Sequence, residues 1–305
     1  MELRQLKTFT VITRTGSFTK AAEQLGYAQS SVTTHIHALE SELGVELFDR
    51  FGPRTGLTLE GKKLLGYAEQ VLRLIDEAQA AISPEAEPQG ALTIGAGESL
   101  ATHRLPHLLR EYRRRYPKVE LVFKNANCTI LREMLRRNEI DAAFFIDRPL
   151  NEPDLIVTTL SPEKMVLLTS RHHRLRRDQW NFPADLAGEC LILTEPGCSY
   201  RASIETILSQ HQVHPASTLE ISGIESIKQM VLHDLGVAVL PAFVAERELE
   251  ASSLVAVDIA GSQLDYWIQF AYHKNKWRSP ALRELIAVTE ALFLQGSGSQ
   301  SMAAD

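Results

Sequence analysis

The sequence predicts a protein of mixed α/β class, in which an all-α-type winged helix-turn-helix and a long linker helix precede a two-lobed α/β domain. Three observations predict this arrangement. Residues 18–37 have the pattern of two short helices joined by a turn, and residues 59–82 form a helical run without proline. From Ala91 onward, apolar strand-like segments alternate with amphipathic helical ones, which is typical of parallel sheets covered by helices.

The helix-turn-helix follows a first helix predicted over residues 2–15. Ser17 is a suitable N-cap for the next helix, because its hydroxyl can accept a free backbone N–H. Gly26 ends that helix, since glycine adopts the left-handed conformation without a Cβ clash. A further helix is expected to begin near Gln29. Its buried stripe, spaced i, i+4 and i+7, consists of Val32, Ile36 and Leu39.

The opposite face of this last helix is short, polar and free of carboxylates. It carries Gln29, Ser30, Ser31, Thr33, Thr34 and His35. A helix that enters the major groove of DNA needs such a face, because an acidic side chain there would be repelled by phosphate. These residues and Ser17 are therefore candidate DNA contacts. The alternative is a solvated helix whose exposed face is rich in serine and threonine.

A two-stranded wing is predicted after this helix. Leu47-Phe48 is expected to form a short strand, residues 51–56 a turn, and residues 57–59 the returning strand. Such a wing lays its tip along the minor groove and the backbone. Arg50 and Arg54 are placed to hold phosphates there.

The first 66 or so residues strongly resemble the winged helix-turn-helix of LysR-type transcriptional regulators. The resemblance is carried by GSFTKAAEQLGYAQSSVTTHIHALESELGVELFDR and by the step from Leu57-Thr58 to Gly61 into a long helix. Two segments depart from the family pattern. Thr34-His35 stands where many members carry Ser-Arg-Gln, and FGPRTG is this chain's own version of the wing tip, so base preferences do not carry over.

The linker helix, residues 59–82, carries an apolar seam with heptad spacing. The seam consists of Leu64, Ala68, Val71, Ile75, Ala78 and Ile82. Such a seam predicts two of these helices side by side, and therefore a homodimer. The alternative is a helix that packs only on its own domain. The family resemblance agrees with the dimer and further implies tetramers, as dimers of dimers.

Two prolines, two acids and a glycine in residues 83–90 predict a hinge. The resemblance to LysR-type regulators extends more loosely over residues 91–295 and implies a periplasmic-binding-protein-like effector domain. Lobe 1 is expected to comprise residues 91–161 and 267–295, and lobe 2 residues 162–266. Residues 296–305 have the composition of a flexible tail.

Ligands of such α/β domains bind at the carboxyl ends of strands, where helix N-termini present free N–H groups. This rule selects the segments around Gly97–Leu100, Asn125–Thr129 and Gly197–Arg201, with Gly223–Glu225 opposite. The candidate effector-binding residues are Ser99, Leu100, Asn127, Cys128, Thr129, Ser199, Tyr200, Arg201 and Ile224. Ser99, Thr129 and Ser199 can donate to a carboxylate and Arg201 can neutralise one, so the effector is expected to be a small anionic metabolite. The alternative is that these hydroxyls only cap helices.

The cysteines and histidines predict no metal site, and redox sensing at Cys198 is left as an alternative. Cys190 is expected to be a small core residue, whereas Cys198 lies at a predicted helix N-terminus near Arg201, where a thiolate would be favoured. No Cys/His group has zinc spacing, and no G-x-S-x-G, H-E-x-x-H or P-loop occurs in the sequence. We therefore expect no enzyme activity, no metal and no cofactor.

The amino-acid composition limits which binding partners and which cellular compartment can be expected. The net charge of −6 argues against a simple nucleic-acid coat, so oligomerisation is expected to be needed for tight DNA binding. Three cysteines and no run of 18 apolar residues predict a cytoplasmic protein without membrane contact. The expected partners are double-stranded DNA, a small effector and the chain itself, with RNA polymerase as a further candidate. A solute-binding protein without a gene-regulatory role is the alternative function.

Overall fold

The computed structural model describes residues 1–49, 55–82, 87–176, 180–259 and 264–294. The chain folds as two compact units, residues 1–86 and 87–305. Arg50 and Arg54, residues 83–86 of the predicted hinge and the predicted tail lie outside the described residues. Within the described ranges, no helix is long and apolar enough to cross a membrane.

The first unit contains three short helices, a two-stranded wing and a long helix. The elements are α1 (Leu3–Thr15), α2 (Phe18–Leu25), α3 (Gln29–Leu43), β1 (Phe48–Asp49), β2 (Gly56–Leu57) and α4 (Leu59–Ala81). Its core gathers α1, α2, α3 and β1 around Phe9 and Phe48, whose ring centroids lie 5.3 Å apart. Gly26 ends α2 at φ +67°, as the turn requires. The predicted helix-turn-helix is therefore present with α3 beginning at Gln29.

The returning strand of the wing is shorter than predicted. β2 pairs antiparallel with β1 through Gly56 and Leu57 only, and α4 begins at Leu59. The Thr58 hydroxyl explains the early end, because it accepts the Gly61 N–H at 3.0 Å and caps α4. Leu59, which falls in both the predicted strand and the predicted linker helix, is the first residue of the helix.

The predicted heptad seam on α4 is wrong in part, because the first unit buries some of its members. Ala68 is in the core of the unit, and Leu64 packs against that core. Ile75 lines a groove of about 230 Å³ together with residues of α1. Three members of the predicted seam, Val71, Ala78 and Ile82, are exposed as a pairing surface requires. Tyr67 and Leu74, each one position away from a seam residue, are exposed beside them.

The second unit begins with lobe 1. Its first elements are β3 (Gly90–Ala96), α5 (Glu98–His103), α6 (Leu105–Arg115), β4 (Val119–Asn125), α7 (Cys128–Arg136), β5 (Ala142–Asp147) and β6 (Leu155–Glu163). The amphipathic pattern of residues 100–115 by itself predicts a single helix. The structure has two, because Pro106 at the start of α6 cannot continue the α5 hydrogen-bond ladder.

Lobe 2 follows and the chain then returns to lobe 1. Lobe 2 contains β7 (Met165–Ser170), β8 (Cys190–Leu193), α8 (Ser199–Gln210), β9 (Ser217–Glu220), α9 (Ile224–Leu232), β10 (Ala238–Pro241), α10 (Glu246–Glu250) and β11 (Leu254–Asp258). Short 3₁₀ turns occupy Arg174–Arg176, Ala184–Gly188 and Ala242–Ala245. The returning elements are β12 (Tyr266–His273) and α11 (Pro280–Leu294).

The sheets are parallel only where the predicted strand–helix alternation holds. In lobe 1 the strand order is β4-β3-β5-β12-β6, in which β3 runs parallel to β4 and β5. β12 is antiparallel to both of its neighbours. In lobe 2, β8 and β9 are parallel, whereas β7 lies antiparallel between β10 and β11. The carboxyl ends of β3, β4 and β5 therefore meet at one edge of lobe 1.

Candidate functional site

The polar face of α3 is exposed and its hydroxyls are partly satisfied by their own helix. Thr33 Oγ1 donates to the Gln29 carbonyl at 3.1 Å, and Thr34 Oγ1 donates to the Ser30 carbonyl at 2.9 Å. The side chains of Gln29, Ser30 and Ser31 are exposed. Such a face can be offered to a partner without breaking contacts that hold the unit together.

Carboxylates lie away from the first turns of α3. Glu40, in the C-terminal half of the helix, is buried, and its Oε1 accepts the Leu47 N–H at 2.9 Å. This contact ties α3 to the start of the wing and removes one negative charge from the surface. The face that precedes it on the helix therefore remains free of acidic groups, as the sequence predicts.

Two of the predicted DNA contacts also serve the fold. His35 Nδ1 lies 3.0 Å from the buried Thr8 hydroxyl of α1, and its ring meets Tyr27 edge-on at 5.5 Å. Ser17 caps α2, since its hydroxyl accepts the Lys20 N–H at 3.4 Å. Both residues hold neighbouring helices in place, a role that sequence reasoning assigned only to Ser17.

In the second unit, the predicted loops from both lobes come together in a cleft. Several hydrogen bonds cross it directly. Asn127 Nδ2 donates to the Pro196 carbonyl at 3.1 Å, and Thr129 Oγ1 donates to the Gly197 carbonyl at 3.3 Å. The hydroxyls of Ser99 and Tyr200 lie 3.4 Å apart.

Another of these bonds involves a residue that sequence reasoning did not select. The Ile224 N–H, at the start of α9 in lobe 2, donates to Glu98 Oε2 in lobe 1 at 3.1 Å. Glu98 is the one charged residue of the Gly97–Leu100 segment, and that charge was the available signal. The cleft thus contains a carboxylate of the protein itself.

The close approach of the lobes requires glycine at position 197. Gly197 has φ +92°, and a Cβ there would lie 2.9 Å from both polar atoms of the Asn127 side chain. That side chain cannot move freely, because its Oδ1 accepts the Ile130 N–H at 3.0 Å and so caps α7. Asn127 therefore joins a helix cap in lobe 1 to the backbone of lobe 2.

The alternative that Ser99, Thr129 and Ser199 only cap helices does not hold in the structure. Asn127 caps α7, whereas Thr129 lies inside that helix. Ser99 lies inside α5, and the residues that precede α5 and α8 make no side-chain cap. Ser199 instead donates to the Ile146 carbonyl and accepts a hydrogen bond from the Cys128 thiol at 3.8 Å. The hydroxyls thus serve contacts between segments rather than the helix ends.

Two predicted effector residues do not present their side chains to the cleft as expected. The side chain of Leu100 is buried in the core of the second unit. Arg201 is engaged in lobe 2, where it pairs with Glu205 and Glu220, at 2.8 Å in each case, and donates to the Thr194 carbonyl. The expectation that Arg201 would neutralise a ligand carboxylate is therefore not met in this arrangement.

Burial disfavours the thiolate form of both cysteines in the cleft. Burial raises the pKa of Cys198, although the backbone N–H groups of Tyr200 and Arg201 oppose that shift. Burial also raises the pKa of Cys128, to about 12. The expected thiolate at Cys198 is therefore wrong, because burial outweighs the favourable helix N-terminus.

The chain matches two protein-family models along nearly its whole length. Residues 3–62 match the model described as "Bacterial regulatory helix-turn-helix protein, lysR family", and residues 85–293 match the "LysR substrate binding domain". It is 36% identical over 294 residues to the HTH-type transcriptional regulator YwqM of Bacillus subtilis, covering 96% of this chain and 100% of that protein. It is 34% identical to YfiE of Escherichia coli, covering 97% and 100% of the two chains.

Solved structures show the same architecture. The full-length regulator CbnR complexed with its target DNA superposes with a TM-score of 0.69 at 22% identity, covering 95% of this chain and 99% of that one. A full-length OxyR variant from Pseudomonas aeruginosa gives a TM-score of 0.67 at 24% identity, with 96% and 94% covered. These likenesses confirm the predicted fold, a winged helix-turn-helix joined to a two-lobed α/β domain.

Proposed function

The chain belongs to the LysR family of DNA-binding transcriptional regulators with an effector-binding domain, and from that premise we propose which of its surfaces binds DNA and which binds the effector. Family membership favours the regulator over a solute-binding protein without a gene-regulatory role. Members of this family are generally not enzymes. The assignment of individual residues rests on the geometry of the two units.

The DNA interface that we propose is the polar face of α3. Gln29, Ser30, Ser31, Thr33 and Thr34 meet base edges and phosphates, and His35 contributes its second ring nitrogen. The observation that carries this proposal is that the face is exposed and its first turns lack acid. Ser17, at the N-terminus of α2, is placed to meet a phosphate with the free N–H groups beside it. Arg50 and Arg54 complete the proposal as phosphate contacts of the wing.

A footprint on the DNA upstream of the chain's own gene tests this interface. Two protected patches related by two-fold symmetry, with affinity that falls steeply as salt is raised, support it. Absence of protection at low salt, with folded protein, overturns it.

The dimer that we propose forms through the exposed apolar face of α4. Tyr67 and Leu74 are 68% and 62% exposed, and Val71 lies between them on the same side. A dimer brings two α3 helices to one DNA site, which compensates for the acidic net charge of the chain. Two dimers then form the tetramer, and RNA polymerase is the further partner of the DNA-bound form.

Replacing Leu74 with lysine tests the dimer. A charge on this face has to be desolvated on association, so Leu74→Lys is expected to weaken dimerisation by at least about 30-fold. Sedimentation velocity measures the change. Glu69→Lys, which adds positive charge on another side of α4, is the control and keeps the dimer. Equal sedimentation of the two variants contradicts this interface.

The effector site that we propose is the cleft. Ser99, Asn127, Thr129, Ser199 and Tyr200 supply polar contacts, Cys128 lies beneath them, and Leu100 and Ile224 offer backbone N–H groups. These groups suit a small anionic metabolite, because hydroxyls, amides and helix N-termini are hydrogen-bond donors to carboxylates. Arg201 joins the ligand only if it leaves Glu205 or Glu220. Effector binding would then shift the lobes and alter the bound DNA through residues 83–90.

A further inference from the structure

One acidic side chain already lies where the effector's anionic group is expected. Glu98 is the first residue of α5, and its carboxylate reaches the first N–H of α9 in the opposite lobe. Gly223, which precedes α9 with φ +101°, lies against the same carboxylate, since a Cβ there would be 3.7 Å from Glu98 Oε2. The N-terminus of α9 is therefore occupied by a carboxylate of the chain itself.

Helix α5 is held to lobe 2 at both of its ends. At its N-terminus, Glu98 accepts the Ile224 N–H of α9. At its C-terminus, His103 Nε2 lies 3.8 Å from Glu225 of α9, and Arg104 Nη2 lies 3.6 Å from Glu246 of α10. This six-residue helix of lobe 1 therefore contacts lobe 2 at both of its ends.

Among the hydrogen bonds described across the cleft, the one between Glu98 and Ile224 involves a charged group, the Glu98 carboxylate. The contacts of Asn127, Thr129 and Ser99 with lobe 2 join neutral groups, namely two side-chain donors to carbonyls and one hydroxyl pair. A carboxylate on a helix N-terminus is favoured by the helix dipole and by its charge-assisted hydrogen bond, so this contact is the strongest of the group. It is also the one that an external carboxylate can replace with the same chemistry.

We propose that Glu98 is an internal competitor of the effector: it closes the cleft when no effector is bound and is displaced from Ile224 by the effector's carboxylate. This inference rests on the proposed function, because it requires an anionic ligand in the cleft. Displacement leaves the N-terminus of α9 satisfied and removes one of the two contacts that join the N-terminal end of α5 to lobe 2, the other being the Ser99–Tyr200 hydroxyl pair. Like-charge repulsion prevents both carboxylates from sharing the site.

Hydrogen exchange on the full chain tests the closing role without any effector. In Glu98→Ala, residues 224–228 and 196–200 should exchange about ten-fold faster than in the wild type, because a charge-assisted bond across the cleft is lost. Glu98→Gln keeps an acceptor of the same length and should show a smaller increase of about three-fold. Glu120→Ala, at an exposed glutamate of β4, is the matched control and should leave both segments unchanged.

Sodium acetate then tests the competition, with sodium chloride at equal ionic strength as its control. Acetate should slow exchange of residues 224–228 in Glu98→Ala and leave the wild type unchanged, whereas chloride should do neither. Unchanged exchange in Glu98→Ala, or faster exchange that acetate does not reverse, overturns the proposal. A DNA footprint of the wild type separates the failure of this proposal from the failure of the proposed function. A wild type that protects no DNA defeats the proposed function but leaves the exchange result standing, because Glu98 lies outside the DNA-binding unit.

Discussion

Helix α3 and the cleft between the lobes present the same kinds of side chain but satisfy them differently. On α3, Thr33 and Thr34 bond to carbonyls of their own helix, and the face remains open. In the cleft, Asn127 and Thr129 bond to the backbone of the opposite lobe, and Glu98 bonds to α9. The α3 hydroxyls thus find hydrogen-bond partners within their own helix, whereas the polar groups of the cleft find theirs in the opposite lobe.

This difference determines what each surface can do on binding. A locally satisfied face can meet a large partner without rearrangement, and its affinity comes from many contacts and from charge. A ligand that enters the closed cleft must replace bonds that the protein already makes, so part of its binding energy goes into separating or shifting the lobes. The open face therefore suits recognition, and the closed cleft suits control.

A carboxylate on α3 should break the open surface, and we expect the largest effect there. Ser30→Glu places a negative charge in the first turn of the exposed face, and we expect it to weaken DNA binding by at least about 100-fold through lost contacts and phosphate repulsion. Fluorescence anisotropy with the footprinted duplex measures the affinity. Ser41→Glu, also exposed but at the far end of α3, is the matched control. Equal affinities of the two variants contradict the assigned face.

A methyl group at position 197 should break the closed surface. Gly197→Ala combines a strained backbone at φ +92° with a clash against Asn127, so it should destabilise the second unit by about 2–4 kcal/mol. Gly90→Ala is the control, because Gly90 has a similar φ of +86° with open space around its Cβ position. Urea unfolding measures the loss of stability in both variants, and the difference between them is the contribution of the clash with Asn127. If both lose the same stability, the lobes do not depend on this close approach.

Glu163, the last residue of β6, should make the stability of the second unit sensitive to pH. Burial raises the pKa of Glu163 from 4.5 to about 7, although Arg104 Nε lies 3.6 Å away and opposes the shift. The folded state therefore prefers the neutral acid. This contribution to stability is complete below about pH 4.5 and is lost as the pH rises through about 7.

The difference in unfolding free energy between the wild type and Glu163→Gln should accordingly change by about 1–3 kcal/mol between acid and neutral pH. Thermal unfolding across that range measures it. Glu120→Gln, at an exposed glutamate, serves as the control. A difference that stays constant with pH would mean that Glu163 does not titrate in this window.

The smallest effect is expected at Ser17, which separates a structural role from a binding role. Ser17→Ala removes the cap of α2 and should cost the first unit about 1 kcal/mol in urea unfolding. Ser17→Asp keeps an acceptor and should retain the stability, but its charge should weaken DNA binding if the residue lies near phosphate. Unaltered DNA affinity of Ser17→Asp would leave Ser17 with the cap alone.

The first unit could be predicted closely because its signals are local. The spacing of Val32, Ile36 and Leu39 fixes the buried side of α3, and all three are buried. The predicted seam on α4 is wrong where residues distant in sequence pack against the helix. Sequence spacing places Ala68 on the apolar seam, but it does not show that the core of the first unit buries this residue.

The cleft could be predicted as a location but not as a set of contacts. The rule that ligands bind at strand carboxyl ends selected segments of both lobes, and these segments contact one another. The partner of Arg201 depends on Glu205 within its own helix and on Glu220 in β9, and the latter pairing follows only from the packing of lobe 2. Likewise, burial of Cys198 outweighs the helix N-terminus that its sequence position indicates.

Hydrogen exchange of the full chain with and without the footprinted duplex tests the contrast between the two surfaces most directly. DNA is expected to slow exchange in residues 27–34, at the start of α3. Residues 196–200 and 224–228 are expected to exchange slowly in the free protein already, because the cleft is closed. If bound DNA leaves residues 27–34 unchanged, or if the cleft segments exchange in the free protein as fast as an exposed loop, the account is contradicted.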